Sequence, residues 1–242
     1  MRYAATILLV GFSVGCTSVD SSAVDTSGIY ADLSVDATGD GTSTVWAFFH
    51  EGDATSTVFL ALSGGDAAHA YMEVLATEFD KDMIETSLFG ATGYSADFDN
   101  ASGEVSFRVK LDRSATGKVS APSSVVTLPA PFSIVAPASN TSFSRTTGTI
   151  TIDWNPYNSG ELMSYEITGS CIQDQAAGIS SDTGHLQIGP NDILSLSGHE
   201  SESCDIIVTI DRYRNGTVDP AYGHGGVFKA TQERQINLHV TP

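Results

Sequence analysis

The chain has 242 residues, and 29 Asp and Glu against 11 Lys and Arg give it a formal charge of −18. Affinity for nucleic acid comes from clustered Lys and Arg that neutralise phosphates; no such cluster occurs, so nucleic acid is excluded as a partner. With 41% hydrophobic residues the chain can build a core instead of persisting as an acidic coil, and its 54 Ser and Thr leave a surface wetted largely by hydroxyls.

At the N-terminus, Arg2 is followed by an apolar run from Ala4 to Val10 and small residues to Gly15. This is the pattern of a secretory signal peptide over residues 1–15, too short to persist as a spanning helix. Within it, Gly11-Phe12-Ser13-Val14-Gly15 matches the nucleophile motif G-x-S-x-G, but in a peptide expected to be cut away. Phe12-Ser13-Val14-Gly15-Cys16 resembles the lipobox of bacterial lipoproteins, with Ser13 where that family most often carries Leu. The resemblance implies acylation of Cys16 as a lipid anchor. Thr17, standing where an Asp would retain such a protein at the inner membrane, implies the outer membrane. Two or more acyl chains hold lastingly where one does not. Residues 16–28, small and polar with no apolar period, read as the lipidated Cys and a flexible tether.

From residue 29 to 128, period-two alternation runs in short stretches divided by Gly, Asp, Asn and Ser. The predicted strands are 29–36, 44–49, 57–62, 70–75, 83–88, 94–98 and 104–111, the spacing of a β-sandwich. Asp36, Thr38, Asp40 and Gly41 echo the start of a calcium loop. The twelfth position is Ala47 where a Glu belongs, so a hairpin turn is the better reading. Trp46 and Phe48 alternate with Val45, Ala47 and Phe49, so one set faces water or the other domain. Outward rings would make a platform for carbohydrate; inward rings would be core.

The stretch 114–124 reads as loop, and Pro129 and Pro131 stiffen the chain that follows. A domain boundary is placed there, with residues 129–242 forming a second sandwich from strands at 132–135, 149–154, 163–167, 185–188, 205–210 and 227–240. Cys171 and Cys204 are expected to pair in an oxidising compartment, closing a loop whose chain-entropy stabilisation is roughly 4 kcal/mol. The run Ile150-Thr151-Ile152-Asp153-Trp154-Asn155-Pro156, followed by Tyr165-Glu166-Ile167, resembles the fibronectin type III pattern over residues 132 to about 170. That likeness implies a Trp154 filling the centre of an immunoglobulin-like sandwich.

The segment Asp211-Arg212-Tyr213-Arg214-Asn215-Gly216-Thr217-Val218-Asp219-Pro220, the lipobox and the Pro-linked β-domains together resemble two-domain envelope lipoproteins of Gram-negative bacteria. That resemblance brings no activity with it. The six His residues include no HxH or HExxH pair, so neither metal nor cofactor is expected. Arg212, Arg214 and His224, the last in a Gly-rich loop, form a possible ligand-binding group, or His224 with Asp219 or Arg214 forms a hydrolase site. The same Gly and Arg residues serve a long hairpin equally well. The expectation is an all-β protein of two tandem sandwiches and not an enzyme, a structural, adhesive or accessory module joined to the membrane through Cys16. Its partner would be an envelope protein or, through Trp46, a glycan.

Overall fold

The computed structural model describes residues 17–88, 90–99 and 103–242; the leader and Cys16 lie outside the described residues. Among the described residues the chain is all-β with no α-helix, as the alternation predicts. In chain order the strands are β1 (Thr17–Asp20), β2 (Ile29–Ala37), β3 (Thr42–Glu51), β4 (Val58–Ala61), β5 (Ala67–Val74), β6 (Thr77–Asp82), β7 (Ile84–Leu88), β8 (Ala91–Asp99) and β9 (Ser106–Asp112). They continue as β10 (Ala121–Thr127), β11 (Ser133–Ala136), β12 (Ser142–Ser144), β13 (Ile150–Asn155), β14 (Leu162–Gly169), β15 (Gln175–Ile179), β16 (His185–Ile188), β17 (Cys204–Asn215) and β18 (Gly226–Thr241).

One large sheet runs in the order β1-β4-β3-β2-β18-β17-β14-β15, with β8 on β3, β7 on β8 and β12 on β18. Two small sheets, β10-β9-β5-β6 and β11-β13-β16, pack on its inner face. Alternation explains the layering: Ile29, Ala31, Leu33, Val35 and Ala37 all turn inward, and the residues between them turn out. The first core gathers Leu33, Phe49, Phe107 and Leu111. The second gathers Ile152, Trp154, Ile167 and Val208, with Trp154 2% exposed, as the fibronectin-like pattern implies.

The expected division near residue 129 separates the small sheets but not the large one. β17 and β18 pair without interruption from Cys204↔Val240 to Asn215↔Lys229. At one end Ile206, Val208, Ile236 and Leu238 fill the second core. At the other, Phe228 and Ala230 fill the first, where β18 lies parallel to β2. The loop between these strands also covers the first body: a Cβ at Gly216 would stand 2.2 Å from the Val125 carbonyl oxygen.

Residues 17–28 are not a flexible tether. β1 pairs in parallel with β4, and Ser21, Val24 and Thr26 are buried. The reason is polar and lies outside the segment. Asp66 and Arg113 form a buried ion pair at 2.9 Å. Ser21 Oγ donates to Asp66 at 2.8 Å, while Arg113 donates to the carbonyls of Ser21 and Val24 and to Thr26 Oγ1. Polar spacing signals a tether only when no buried partner waits for those groups.

Cys171 and Cys204 are bonded, with their Cα atoms 5.9 Å apart. The buried Arg145 lies against this bridge, donating to Cys171 O and to the carbonyls of Glu200 and Glu202.

Between the two cores the inner face turns polar. Arg212 has a fully buried side chain and donates to Asp182 at 2.9 Å and to the Pro156 carbonyl at 2.6 Å. It also donates to Ala130 O, and it stacks on Phe132 with its guanidinium 4.7 Å from the ring centre. Arg234 packs on the same ring at 5.3 Å and donates to Phe132 O and Ala37 O. Gln232 donates to Pro129 O. The proline connector is thus stiff in itself and bolted to the last hairpin. Burial acts to raise the Asp182 carboxyl, but hydrogen bonds from Ser159 and Trp154, with the charge of Arg212, outweigh it and hold the group below the ordinary carboxylate range.

Removing one partner of a buried ion pair costs about 3–5 kcal/mol, because the other charge stays buried alone. Arg212→Met is expected to lower the unfolding free energy by about that amount in urea titration. A loss below about 1 kcal/mol would remove Arg212 from its place at the junction.

Candidate functional site

The outer face of the large sheet is covered by neither small sheet, and its residues fall into an aromatic half and an acidic half. The aromatic half arises from β3, where Val45, Ala47 and Phe49 enter the core and Trp46, Phe48 and His50 point the other way. Trp46 and Phe48 have ring planes within 9° of parallel, with centres 6.3 Å apart. The chain of rings continues from Phe48 to Phe59 on β4 at 6.2 Å, from Phe59 to His50 at 4.5 Å, and from His50 to Tyr30 on β2 at 6.0 Å. Phe59 and His50 are buried, whereas Tyr30, Trp46 and Phe48 are partly open to solvent.

Two local devices hold this ladder. A Cβ at Gly93 on β8 would lie 2.4 Å from Phe48 Cε1, so the ring occupies space that only glycine leaves. His50 Nδ1 faces the Ser56 carbonyl oxygen at 2.9 Å and so carries a hydrogen. Around the rings stand short polar groups. Ser34 on β2 and Ser95 on β8 lie opposite Trp46, and Asp32 lies opposite Phe48. Thr44 Oγ1 donates to Asp97 at 2.7 Å.

The acidic half lies beside it on β17, β18 and β2. Asp211 and Glu233 are directly opposed in the ladder, and Asp36 sits opposite Thr231, two positions from Glu233. Ser164 donates to Asp211 from β14, Ser34 donates to Asp36 at 3.0 Å, and Lys229 leans over the Tyr213 ring at 4.3 Å. Burial pushes the Asp211 carboxyl up to about 6, helped by Glu233 and Asp36 and opposed by Lys229. Burial raises Asp36 as well.

The other residues singled out in the sequence do not gather. Arg212 is consumed at the junction. Arg214 pairs with Glu161, its Nε 3.1 Å from Oε1. Asp219 accepts from Ser123 and from the Ala221 amide, and no hydrogen bond or ion pair joins it to either arginine. His224 is exposed, and its backbone amide donates to Ile29 O; its side chain meets none of the other three among the described residues. No hydrogen bond or ion pair therefore joins the groups of the hydrolase reading among the described residues. Asp40 accepts from the Thr42 amide and hydroxyl in a hairpin turn. Among the described residues no three His, Cys, Asp or Glu side chains stand where they could share a metal ion.

Phe59, His50 and Tyr30 were not marked by sequence reasoning. His50 shares the alternation of Trp46 and Phe48, so its side was legible. Phe59 and Tyr30 join only through cross-strand register, which one strand does not carry.

No family model matches the chain, and no curated protein matches it. Among solved structures it is similar to an I-band fragment of titin at 10% identity with a TM-score of 0.24. The match covers 86% of this chain and 63% of that fragment. A likeness so distant bears on neither topology nor function.

The raised Asp211 carboxyl sets a pH dependence. A group whose folded pKa exceeds its unfolded value binds more protons in the folded state between the two, so stability falls as pH rises through about 6. Asp211→Asn is expected to raise the thermal midpoint at neutral pH, with the gain shrinking as pH falls below that range. A gain that is equal in acid, or absent at neutral pH, would contradict this, and calorimetry across that range reads it directly.

Proposed function

We propose that the protein is a non-catalytic module of the cell envelope, held at the outer membrane through acylated Cys16, and that it binds glycan on the aromatic half of the outer sheet face. The observation that carries this reading is the pair of near-parallel, partly exposed rings of Trp46 and Phe48 on the outer face of β3. The C–H faces of a sugar lose their water against such rings, a gain in proportion to the apolar area covered. Ser34, Ser95, Asp32 and Asp97 around them offer acceptors for sugar hydroxyls. The surrounding carboxylates and the charge of −18 favour neutral saccharides over phosphorylated or uronic ones. The resemblance at residues 12–16 supports the anchor, and the disulfide fits an oxidising compartment outside the cytoplasm.

A tryptophan at the centre of an interface typically contributes 2 kcal/mol or more, which is about 30-fold in affinity. Trp46→Ala is expected to reduce binding to neutral glycans on an array, and by titration calorimetry, by about that factor. Unchanged glycan binding in this variant would end the glycan reading while leaving the anchor untouched.

A further inference from the structure

The segment that follows Cys16 is locked. The Thr17 amide donates to Thr57 O at 3.2 Å, and β1 keeps register with β4 from Thr17↔Val58 to Asp20↔Ala61. Ser63 Oγ donates to Asp20 at 2.5 Å, and Lys118 pairs with Asp25 at 2.7 Å. Beneath them Ser21 Oγ bonds the buried Asp66–Arg113 pair, and Thr26 Oγ1 donates to Val119 O at 2.5 Å. A free coil over residues 17–28 would have an end-to-end length of about 20 Å. Here Thr17, the residue next in sequence to Cys16, already belongs to a paired strand, so no coil of that length precedes the folded body after it.

We infer that the protein stands directly on the bilayer, seated on the edge formed by β1, β4 and the 51–57 turn, with no swinging stalk. The inference rests on the anchoring through Cys16. Its occupant is the headgroup layer, and what holds it there is the covalent attachment: Glu51, Asp53 and Asp20 on this edge are acidic and give anionic lipid nothing to attract. Seating this edge fixes the rest of the molecule. Phe59 lies one step across from Ser18, and Phe48 and Trp46 follow as successive ring contacts. The aromatic ladder is therefore close to the headgroups, and saccharide carried on the membrane is the glycan within its reach. β15, at the opposite edge of the large sheet, is seven interstrand steps from β1, about 34 Å along the sheet.

The test uses the full chain in vesicles of phosphatidylethanolamine and phosphatidylglycerol carrying a headgroup nitroxide quencher. A fluorescent residue replaces either Thr55, in the seating turn, or Ala177, in β15. Strong quenching at position 55 and little at 177 is expected. A Gly-Ser insert after Cys16, as long as residues 17–28, should reduce quenching at 55 several-fold. Equal quenching at the two positions, or indifference to the insert, would overturn the seating. Failure of the anchor reads out separately, as Cys16→Ser protein that sediments with membranes like the wild type, and it would overturn the seating with it. Hydrogen exchange on the soluble Cys16→Ser protein supplies an independent check. Slow exchange of the amides of residues 17–28 is expected, and random-coil rates would overturn the lock whatever the membrane does.

Discussion

Twelve consecutive ladder positions between β17 and β18 tie two hydrophobic cores to one hairpin. A backbone amide buried in a sheet needs its partner, and losing that partner costs about as much as a hydrogen bond. Neither core can open without exposing half of a strand whose other half remains buried in its neighbour. The two small sheets are separable by eye, since each has its own cluster of side chains. The hairpin behind them makes their stabilities common property, and its outward side carries Asp211 and Glu233 of the acidic half.

The junction explains why Arg212 and Arg234 turn inward in so acidic a chain. Along β18 the inward positions read Phe228, Ala230, Gln232, Arg234, Ile236, Leu238 and Val240, and along β17 they read Ile206, Val208, Ile210 and Arg212. Where the cover passes from one small sheet to the other, the gap holds connector backbone with unpaired carbonyls. Arginine and glutamine carry the several donors needed to meet those carbonyls together, and an apolar side chain there would leave them bare. One carboxylate, Asp182, completes the set, and the Phe132 ring covers the guanidinium planes.

Most of the strands were legible because they are half-buried, and burial on one side writes a period of two. β6 escaped notice because Thr77–Asp82 is exposed at every position, as befits an edge strand guarded by charge. β1, β12 and β15 are short edge segments with little to bury, and β10 carries Pro122 near its start, which made it look like loop. The domain boundary was legible only for the small sheets, since alternation shows which side faces in and not which core receives it. The polar interruption at Gln232, Arg234 and Arg212 was the one sign that a single hairpin serves two cores; of the three, only Arg212 stood out in the sequence, where it was grouped with Arg214 and His224 as a ligand site. The outward ring pair was half legible: alternation separated Trp46 and Phe48 from the core set, while the covering of their neighbours depends on register with β2, β4 and β8.

One tryptophan stands on the sheet backing the first core and the other stands within the second, so the chain carries its own two reporters. In urea, a Trp154→Phe variant reports the first body through Trp46, and a Trp46→Phe variant reports the second through Trp154. With a hairpin common to both, each variant should give the same midpoint by its remaining fluorescence and by far-ultraviolet circular dichroism, in a single transition. Two separated transitions, with one body unfolded while the other keeps its signal, would contradict the shared hairpin and the architecture built on it.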